Sequence, residues 1–446
     1  MTNPDRKKEA VLKKSKDSKV KFWRLWFTDV LGFLKSFSIT EGEFEEAISE
    51  GMGFDGSSIE GYARIEESDL IALPDPETFT TLPFGGNDDF KVGMMFCDIK
   101  NPDETPYEGC PRNALRKMLK KAGDMGFNHY YLGPEMEFFF FKSSDAPEVL
   151  DEGGYFDMTT RDAAYDLRRD CTLALESMGV QVEYTHHEVA PSQHEIDMKY
   201  KDAIKMADQV MACRMVVKEI AQKSGIFATF MPKPLFGQNG SGMHVHQSLF
   251  KGENNAFFDS KDKYHLSKTA KHFMAGLLKH SKEIVPVVAQ WVNSYKRLVP
   301  GYEAPVYISW ARRNRSALIR VPMYKPGKEK ATRIEFRCPD PACNPYLAFA
   351  VMLSAGLKGI EKQYPLPNPV EEDIFDMSEK EREARGIESL PGDLYDALTF
   401  AKQSDVVREA LGDHIFSKFI ENKEIEWDRY RIQVTSYELD RYMPIL

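Results

Sequence analysis

Cysteine is scarce in this chain, and what there is stands scattered. The six cysteines among 446 residues (Cys97, Cys110, Cys171, Cys213, Cys338, Cys343) form no C-x-x-C pair. That excludes a zinc ribbon and a disulfide framework, and it fits a reducing cytoplasm. Long apolar runs are missing as well. The best of them, Ile284 to Val292, is much shorter than the ~20 residues of a membrane span, and no apolar stretch follows the basic N-terminus, so neither export nor membrane insertion is expected. Positive charge is in deficit, with 59 Lys and Arg against 69 Asp and Glu and a net charge of -10. An acidic chain lacks the basic face that general nucleic-acid binding requires. The basic run from Arg6 to Lys16 is interrupted by Glu9 and followed by Asp17, which suits a solvated terminal helix. No G-x-x-x-x-G-K-[ST] loop occurs. The one G-x-G-x-x-G match, Gly51 to Gly56, follows a helix-like segment and lacks the strand–turn–helix context of a dinucleotide site.

Material for folding is plentiful: 42% of residues are hydrophobic and 12% aromatic. The length exceeds a single core of ~100 to 200 residues, so two domains are expected. Lys21–Asp29 and Phe90–Ile99 read as strands around a helix-like Glu41–Glu50, which makes a small α+β module. The turn formers of Asn101–Pro111 mark a boundary, giving domains 1–105 and 106–446. Beyond it, helical stretches (Arg161–Met178, Lys201–Gly225, Leu266–Lys282, Pro345–Lys362) alternate with short strands, and Glu371–Leu411 reads as a C-terminal helical region. No internal repeat is present.

Four stretches carry chemistry. In Gly133–Phe141 (GPEMEFFFF) a spacing of two puts Glu135 and Glu137 on one face of a strand, with Met136, Phe138 and Phe140 on the other. Two carboxylates held together among phenylalanines call for a compensating divalent cation. His186–Glu195 (HHEVAPSQHE) adds two glutamates and three histidines, ligand types for Mg2+ or Mn2+, and Pro191 rules out a zinc-protease helix. Lys233–Ser248 runs through a glycine-rich loop able to offer backbone N–H groups to an anion, into a strand where His244, His246 and Ser248 share a face. Finally, Lys296 to Arg337 is basic within an acidic protein, and Arg333, Glu335 and Arg337 alternate with apolar residues so as to point one way. Guanidinium forks of this kind suit carboxylates and phosphates.

Taken together, FDGSS (Phe54–Ser58), GPEMEF, HHEVA, KPLFGQNGSGMHVHQS, NSYKRLVPGYEAP (Asn293–Pro305), RNRSALIR (Arg313–Arg320) and RIEFR occur in the order in which type I glutamine synthetases carry them. The chain resembles that family over nearly its whole length. The resemblance implies a β-grasp N-terminal domain and a catalytic domain whose curved antiparallel sheet forms a funnel, with ATP entering one end and glutamate the other. It implies two metal ions, Mg2+ or Mn2+, one held by Glu137, Glu188 and Glu195 and the other by Glu135, His244 and Glu335. ATP would meet Glu183, His246, Ser248, Arg315, Arg320 and Lys330. Glutamate would meet Asn239, Gly240, Arg297, Glu303 and Arg337. Ammonium would be held by Asp55, Ser58, Tyr155 and Glu188, with Asp55 as base and Glu303 on a loop that excludes water.

By the same resemblance Asp55 reaches a neighbouring subunit's site, so the expected assembly is a dodecamer of two stacked rings. Phe375 stands where adenylylated members carry a tyrosine, and the segment from Phe141 to Tyr155 is short, which points to the alpha-type branch. Arg64 then matches a position linked to feedback by glutamine. Arg24, Arg168 and Arg169 offer charges for a 2-oxoglutarate site, although solvated helix charges are the plainer reading. Two rivals are a same-fold ligase joining glutamate to a polyamine or another amine, and a non-catalytic regulatory relative. The intact Asp55 argues against the first, and six filled metal-ligand positions against the second.

Overall fold

The computed structural model describes residues 4–57, 59 and 69–446. After helix α1 (Pro4–Asp17), a small sheet is built from β1 (Val20–Thr28), β2 (Leu34–Thr40), β3 (Met52–Asp55), β4 (Asp69–Pro74), the two-residue β5 (Thr80–Thr81) and β6 (Lys91–Lys100). Its order is β2-β1-β6-β4-β3, with β1 and β6 parallel and the other neighbours antiparallel. Aromatic and branched side chains of β1 and β6 fill its core, and α2 (Phe44–Glu50) caps it by stacking Phe44 on Trp23 at 4.0 Å. This is a β-grasp arrangement.

The large sheet centres on the 13-residue β7 (His129–Phe141). Around it lie β8 (Val182–His187), β9 (Gln193–Met198), β10 (Lys201–Asp202), β11 (Phe227–Thr229), β12 (Val245–Lys251), β13 (Asn254–Asn255), β14 (Tyr307–Ala311), β15 (Ala317–Arg320) and β16 (Ile334–Phe336). Its path is β14-β15-β16-β12-β7-β9-β8, antiparallel except for the β14–β15 pair. Helices cover its apolar face: α3 (Pro111–Asp124), α4 (Tyr165–Ser177), α5 (Ala203–Lys223), α6 (Lys268–Lys279), α7 (Ser281–Val288), the short α8 (Ser294–Arg297) and α9 (Pro345–Lys362). α9 is apolar almost all round because α3, α6 and the C-terminal α12 (Asp405–Arg431) surround it. Proline at N1 and the Asn344 side chain, which accepts from the Tyr346 and Leu347 amides, start it where the sequence indicates.

Two expected helical stretches differ. Leu266–Lys282 is broken at His280 into α6 and α7, and Pro286 lies inside α7. The polar stretch from Glu371 begins as a loop and becomes α10 (Glu379–Ala384) and α11 (Leu394–Ala401); helix continues far past Leu411 as α12 (Asp405–Arg431) and α13 (Ser436–Tyr442). At Gly412 (φ 75, ψ 161) the backbone leaves the helical region, so Asp405–Arg431 is two helices meeting at a kink. Among the described residues no helix is long and apolar enough to cross a membrane.

The small sheet is fastened to the rest through Arg112, which is buried in the first turn of α3. It donates to both carboxylate oxygens of Asp208 on α5 (3.1 and 2.9 Å), to Asp75 (2.8 Å) and to Asp98 on β6. Asn344 donates to the carbonyls of Asp29 and Val30 (3.0 and 3.2 Å).

Candidate active site

Strand register assembles the site. β7 turns Glu135 and Glu137 to one face and sends Met136, Phe138 and Phe140 into the core. Phe139 and Phe141, on the glutamate face, pack with Ala190 and close the far end of that face. Antiparallel pairing sets Glu195 opposite Glu137 and Asp197 opposite Glu135. The β8–β9 hairpin adds His186 and Glu188, while on the other flank His246 of β12 pairs with Gly133 and with Glu335 of β16. All six residues expected as metal ligands therefore converge, although Glu135 and Glu335 are far apart in the chain.

Five of them line the first of two adjoining cavities, and Glu335 lies beside Glu135 without lining either. The first, of about 130 Å³, is bordered by Glu135, Glu137, Glu188, Glu195 and His244, and by Asn239, Gly240, Arg297, Glu303, Arg315, Arg320, Arg337 and Tyr155. The other, of about 230 Å³, is bordered by Glu183, His246, Ser248, Lys330 and Arg333. Glu135 and Tyr184 belong to both walls, so the cavities meet there.

The electrostatics ask for cations. Burial pushes Glu137 well above the ordinary carboxylate range, with Glu188 adding repulsion. Glu195 is raised well above it by burial and by Asp197 and Glu137, and Glu188 is raised by burial. Asp197 is pushed up to about 6, chiefly by burial. Glu135 behaves otherwise. Burial opposes its charge, but hydrogen bonds with His244 (3.0 Å) and His246 (2.9 Å) outweigh it and hold the carboxyl well low. For Glu335, burial is likewise outweighed, here mainly by Arg337. His244 is pushed down to about 4 by burial and by Arg337, which leaves a neutral ring able to offer a lone pair. Two donor groups draw together within 4.8 Å: Glu135 with His246 and Glu335, and His186 with Glu188 and Glu195. Crowded, desolvated carboxyls beside imidazoles fit divalent cations. His186 falls in the stretch read as bearing metal-ligand types but was assigned to neither ion, and His246 was assigned to ATP; their place beside the carboxylates depends on cross-strand pairing that local patterns do not express.

A pH dependence follows. Glu137, Glu188, Glu195 and Asp197 hold protons to higher pH in the fold than in the unfolded chain, so through them the cation-free fold loses stability as pH rises above the ordinary carboxylate range, in the case of Asp197 through about 6. A divalent ion replaces those protons. The thermal shift on adding Mg2+ should be small at about pH 5 and several degrees larger at about pH 7.5; equal shifts at both values would refute it.

Other expected residues fall in varied places. The glycine-rich loop serves the protein's own carboxylate: Gly242 N–H donates to Glu137 (2.9 Å), while the amides of Ser241 and Met243 go to the carbonyls of Pro232 and Pro339. Gly242 must be glycine, since a Cβ would sit 2.6 Å from Arg297 Nη2 and 2.8 Å from His244 Nε2. Arg297 lines the cavity, yet its terminal nitrogens donate to the carbonyls of Cys338, Pro339 and Arg337. Arg337 bonds Glu335 (2.7 Å) and the Glu303 carbonyl (3.3 Å). Glu303 itself has φ 57, a left-handed conformation, and lies 3.9 Å from Arg315, whose guanidinium faces the Tyr155 ring at 5.9 Å. Asp55 lines neither cavity. It is exposed at the end of β3, where the hydroxyl and amide of Ser57 hold its carboxyl below the usual range. Ser58 and Arg64 lie outside the described residues.

The three arginines weighed for a 2-oxoglutarate site do not assemble. Arg168 is neither a solvated helix charge nor free for a dicarboxylate: it is 4% exposed and donates to both oxygens of Asp162 (3.2 and 2.8 Å). Arg169 pairs on the surface with Asp166 and Asp170, and Arg24 sits on β1 in the other sheet.

Carboxylates gathered for divalent cations, next to arginines suited to phosphate, define a metal-dependent enzyme of phosphoryl transfer. The family model for the glutamine synthetase β-grasp domain matches residues 19–102, and that for the glutamine synthetase catalytic domain matches residues 108–442. Glutamine synthetase of Mycolicibacterium smegmatis is 51% identical over 446 residues, covering 99% of this chain and 100% of the relative. That of Thermotoga maritima is 50% identical, covering 98% and 99%. Among solved structures, a GmaS–ADP complex superimposes with a TM-score of 0.88 at 30% identity (97% and 99% covered), and Plasmodium falciparum glutamine synthetase with 0.87 at 26% (99% of each). The chain belongs to the glutamine synthetase family. Its activity is ATP-dependent glutamine synthesis, with divalent metal ions as cofactors.

Proposed function

We propose that the two cavities are the glutamate and ATP ends of one funnel, within a domain division of 1–105 and 106–446. The observation that carries this reading is the shared wall at Glu135 and Tyr184, with the acidic donors and Arg297, Arg315, Arg320 and Arg337 lining one cavity and Glu183, His246, Ser248 and Lys330 the other. Glu137, Glu188 and Glu195, and Glu135, His244 and Glu335, would hold two ions, Mg2+ or Mn2+, with His186 and His246 at hand. Such ions neutralise the nucleotide's terminal phosphate and polarise it for attack.

The chain's own residues do the rest. Glu183, His246, Ser248 and Lys330 border the nucleotide. Asn239, Gly240, Arg297 and Arg337 border the amino acid, so that its side-chain carboxylate faces the γ-phosphate in line. Arg315 and Arg320 compensate charge that develops on the transferred phosphoryl group. Attack yields γ-glutamyl phosphate, from which ammonia displaces phosphate to give glutamine. Glu303, on the rim loop, shields that acyl phosphate from water. Ammonium is held by Tyr155 and Glu188 together with Ser58 and Asp55, and Asp55 takes its proton.

The exposed position of Asp55 suits donation to a neighbour's site, and the protein is a homo-oligomer on this reading, in two rings of six. The C-terminal residues support burial in such an assembly, since Ile432, Val434, Tyr437, Met443, Ile445 and Leu446 are all exposed apolar groups. The enzyme is cytoplasmic and of the alpha-type branch, with Phe375 excluding adenylylation, Arg64 serving glutamine feedback and no 2-oxoglutarate site at Arg168. The test combines light scattering with phosphate release under ATP, Mg2+ and glutamate, supplying ammonium, methylamine or putrescine in turn. An oligomer that prefers ammonium is expected. A preference for methylamine or putrescine would overturn the substrate, and a fully active monomer would overturn the shared site.

A further inference from the structure

Behind the β8–β9 hairpin lies a third convergence of ligand-type groups, Asp151, His187 and His194, all buried and within 4.8 Å of one another. Its chemistry is not that of a metal site. His187 Nδ1 faces the Glu188 carbonyl at 2.7 Å and Nε2 faces Asp151 at 3.0 Å. Each ring nitrogen of His187 thus faces an oxygen acceptor, which fixes the ring at both ends. His194 Nδ1 receives an N–H of Arg168 at 2.9 Å. Among the described residues His194 Nε2 and Arg168 Nε have no hydrogen-bond partner, so the holding bonds run through Asp151 and His187.

Their connections converge on one task. Asp151 accepts from His187, from the amides of Ser192 (3.0 Å) and Gly153 (3.3 Å), and from the amide of Ala163 (3.0 Å). The Ser192 hydroxyl accepts from the amides of Leu150 (2.6 Å) and Asp151 (3.3 Å), and Phe156 N–H donates to the His187 carbonyl at 3.1 Å. Phe156 and Ser192 both have φ 60, in the left-handed region, which non-glycine residues keep only when their surroundings enforce it. The segment so pinned presents Tyr155, and the turn it is pinned to presents Glu188. Phe156 stacks on His186 at 4.4 Å, and Tyr155 meets the same ring edge-on at 5.3 Å.

We infer that Asp151 and His187 are positioning residues, a buried clasp that holds the Tyr155 segment against the Glu188 turn and thereby sets the geometry and size limit of the amine subsite. The inference rests on the assignment of Tyr155 and Glu188 to ammonium proposed above. Neither clasp residue touches substrate. Gly153 offers a test that deletes no group, because a Cβ there would lie 2.6 Å from His187 Nε2 and force the clasp apart.

The experiment measures steady-state kinetics of the assembled enzyme at saturating Mg2+, with thermal midpoints, for Asp151→Asn, Gly153→Ala and Tyr155→Ala. Both clasp variants should raise the KM for ammonium about tenfold, leave the KM for ATP within about twofold, and raise the turnover ratio of methylamine to ammonium. Should Asp151→Asn fail to assemble, Ser192→Ala, which keeps the Asp151–His187 contact and removes only the hydroxyl, is judged by the same criteria. A uniform fall in kcat with all KM values and the amine ratio unchanged would mark a merely structural network and overturn the clasp. If Tyr155→Ala raises the ammonium KM while the clasp variants do not, the clasp fails and the ammonium site stands. If Tyr155→Ala changes nothing, the ammonium assignment itself fails and takes the clasp with it.

Discussion

Glu335→Gln is expected to lower kcat for phosphate release by about a thousandfold or more, with the KM for glutamate changing only a few-fold. The side chain is fully buried and lies in register with His246, where its carboxylate joins Glu135. Arg337 holds one oxygen at 2.7 Å and Arg320 the other. The amide keeps the volume but loses the charge, and its NH2 turns a donor toward a guanidinium or toward the cation. Metal affinity should fall with the rate, and Mn2+ titration calorimetry reads that separately. Glu335→Ala should be as inactive and also less stable, because it strands two guanidinium groups, one of them buried. Turnover of Glu335→Gln within tenfold of the parent would remove this carboxylate from the metal machinery.

The largest loss of stability is expected from Arg112→Ala, about 3–5 kcal/mol by urea unfolding. Three carboxylates share this guanidinium, and the side chain of Asp208, 6% exposed, has among the described residues only the Tyr346 hydroxyl (2.6 Å) besides. Arg116 also reaches Asp75 and Asp98, but it is largely solvated and offers Asp208 nothing. Burial already pushes the Asp208 carboxyl up, with Arg112 opposing. Without the arginine that carboxyl would protonate at higher pH, so the deficit should shrink in mild acid. Asp208→Asn in the Arg112→Ala background should recover part of the loss; a strictly additive double variant would show that the two groups are not coupled.

Local signals carried far in this chain. A spacing of two with four aromatic residues sufficed to read Glu135 and Glu137 as sharing one face beside a buried one, and the helical stretch Pro345–Lys362 coincides with α9. Pairing was not readable. Nothing near Glu137 says that Glu195 will lie across from it, or that His186 and His246 will join the carboxylates. The glycine-rich loop illustrates the limit: its composition advertises donors for an anion, and the structure spends the Gly242 donor on Glu137. Arg168 looked like one more charge on a polar helix, and only the partner Asp162, brought in by the chain before α4, makes it a buried ion pair. The break at His280 was missed because tertiary packing overrides local preference, whereas the helix does break at Gly412, next to the Leu411 bound read from the sequence.

The delivery of Glu135 on β7 and Glu335 on β16 to one proposed ion has a consequence for biosynthesis. While the ribosome is still making the first three hundred residues, no partial product can complete that ion's set, because the β16 carboxylate does not yet exist. Metal at that position therefore cannot template folding as it does in small zinc modules. The nascent protein must close its longest-range pairings unaided, a slow search, and it becomes chemically competent only afterwards.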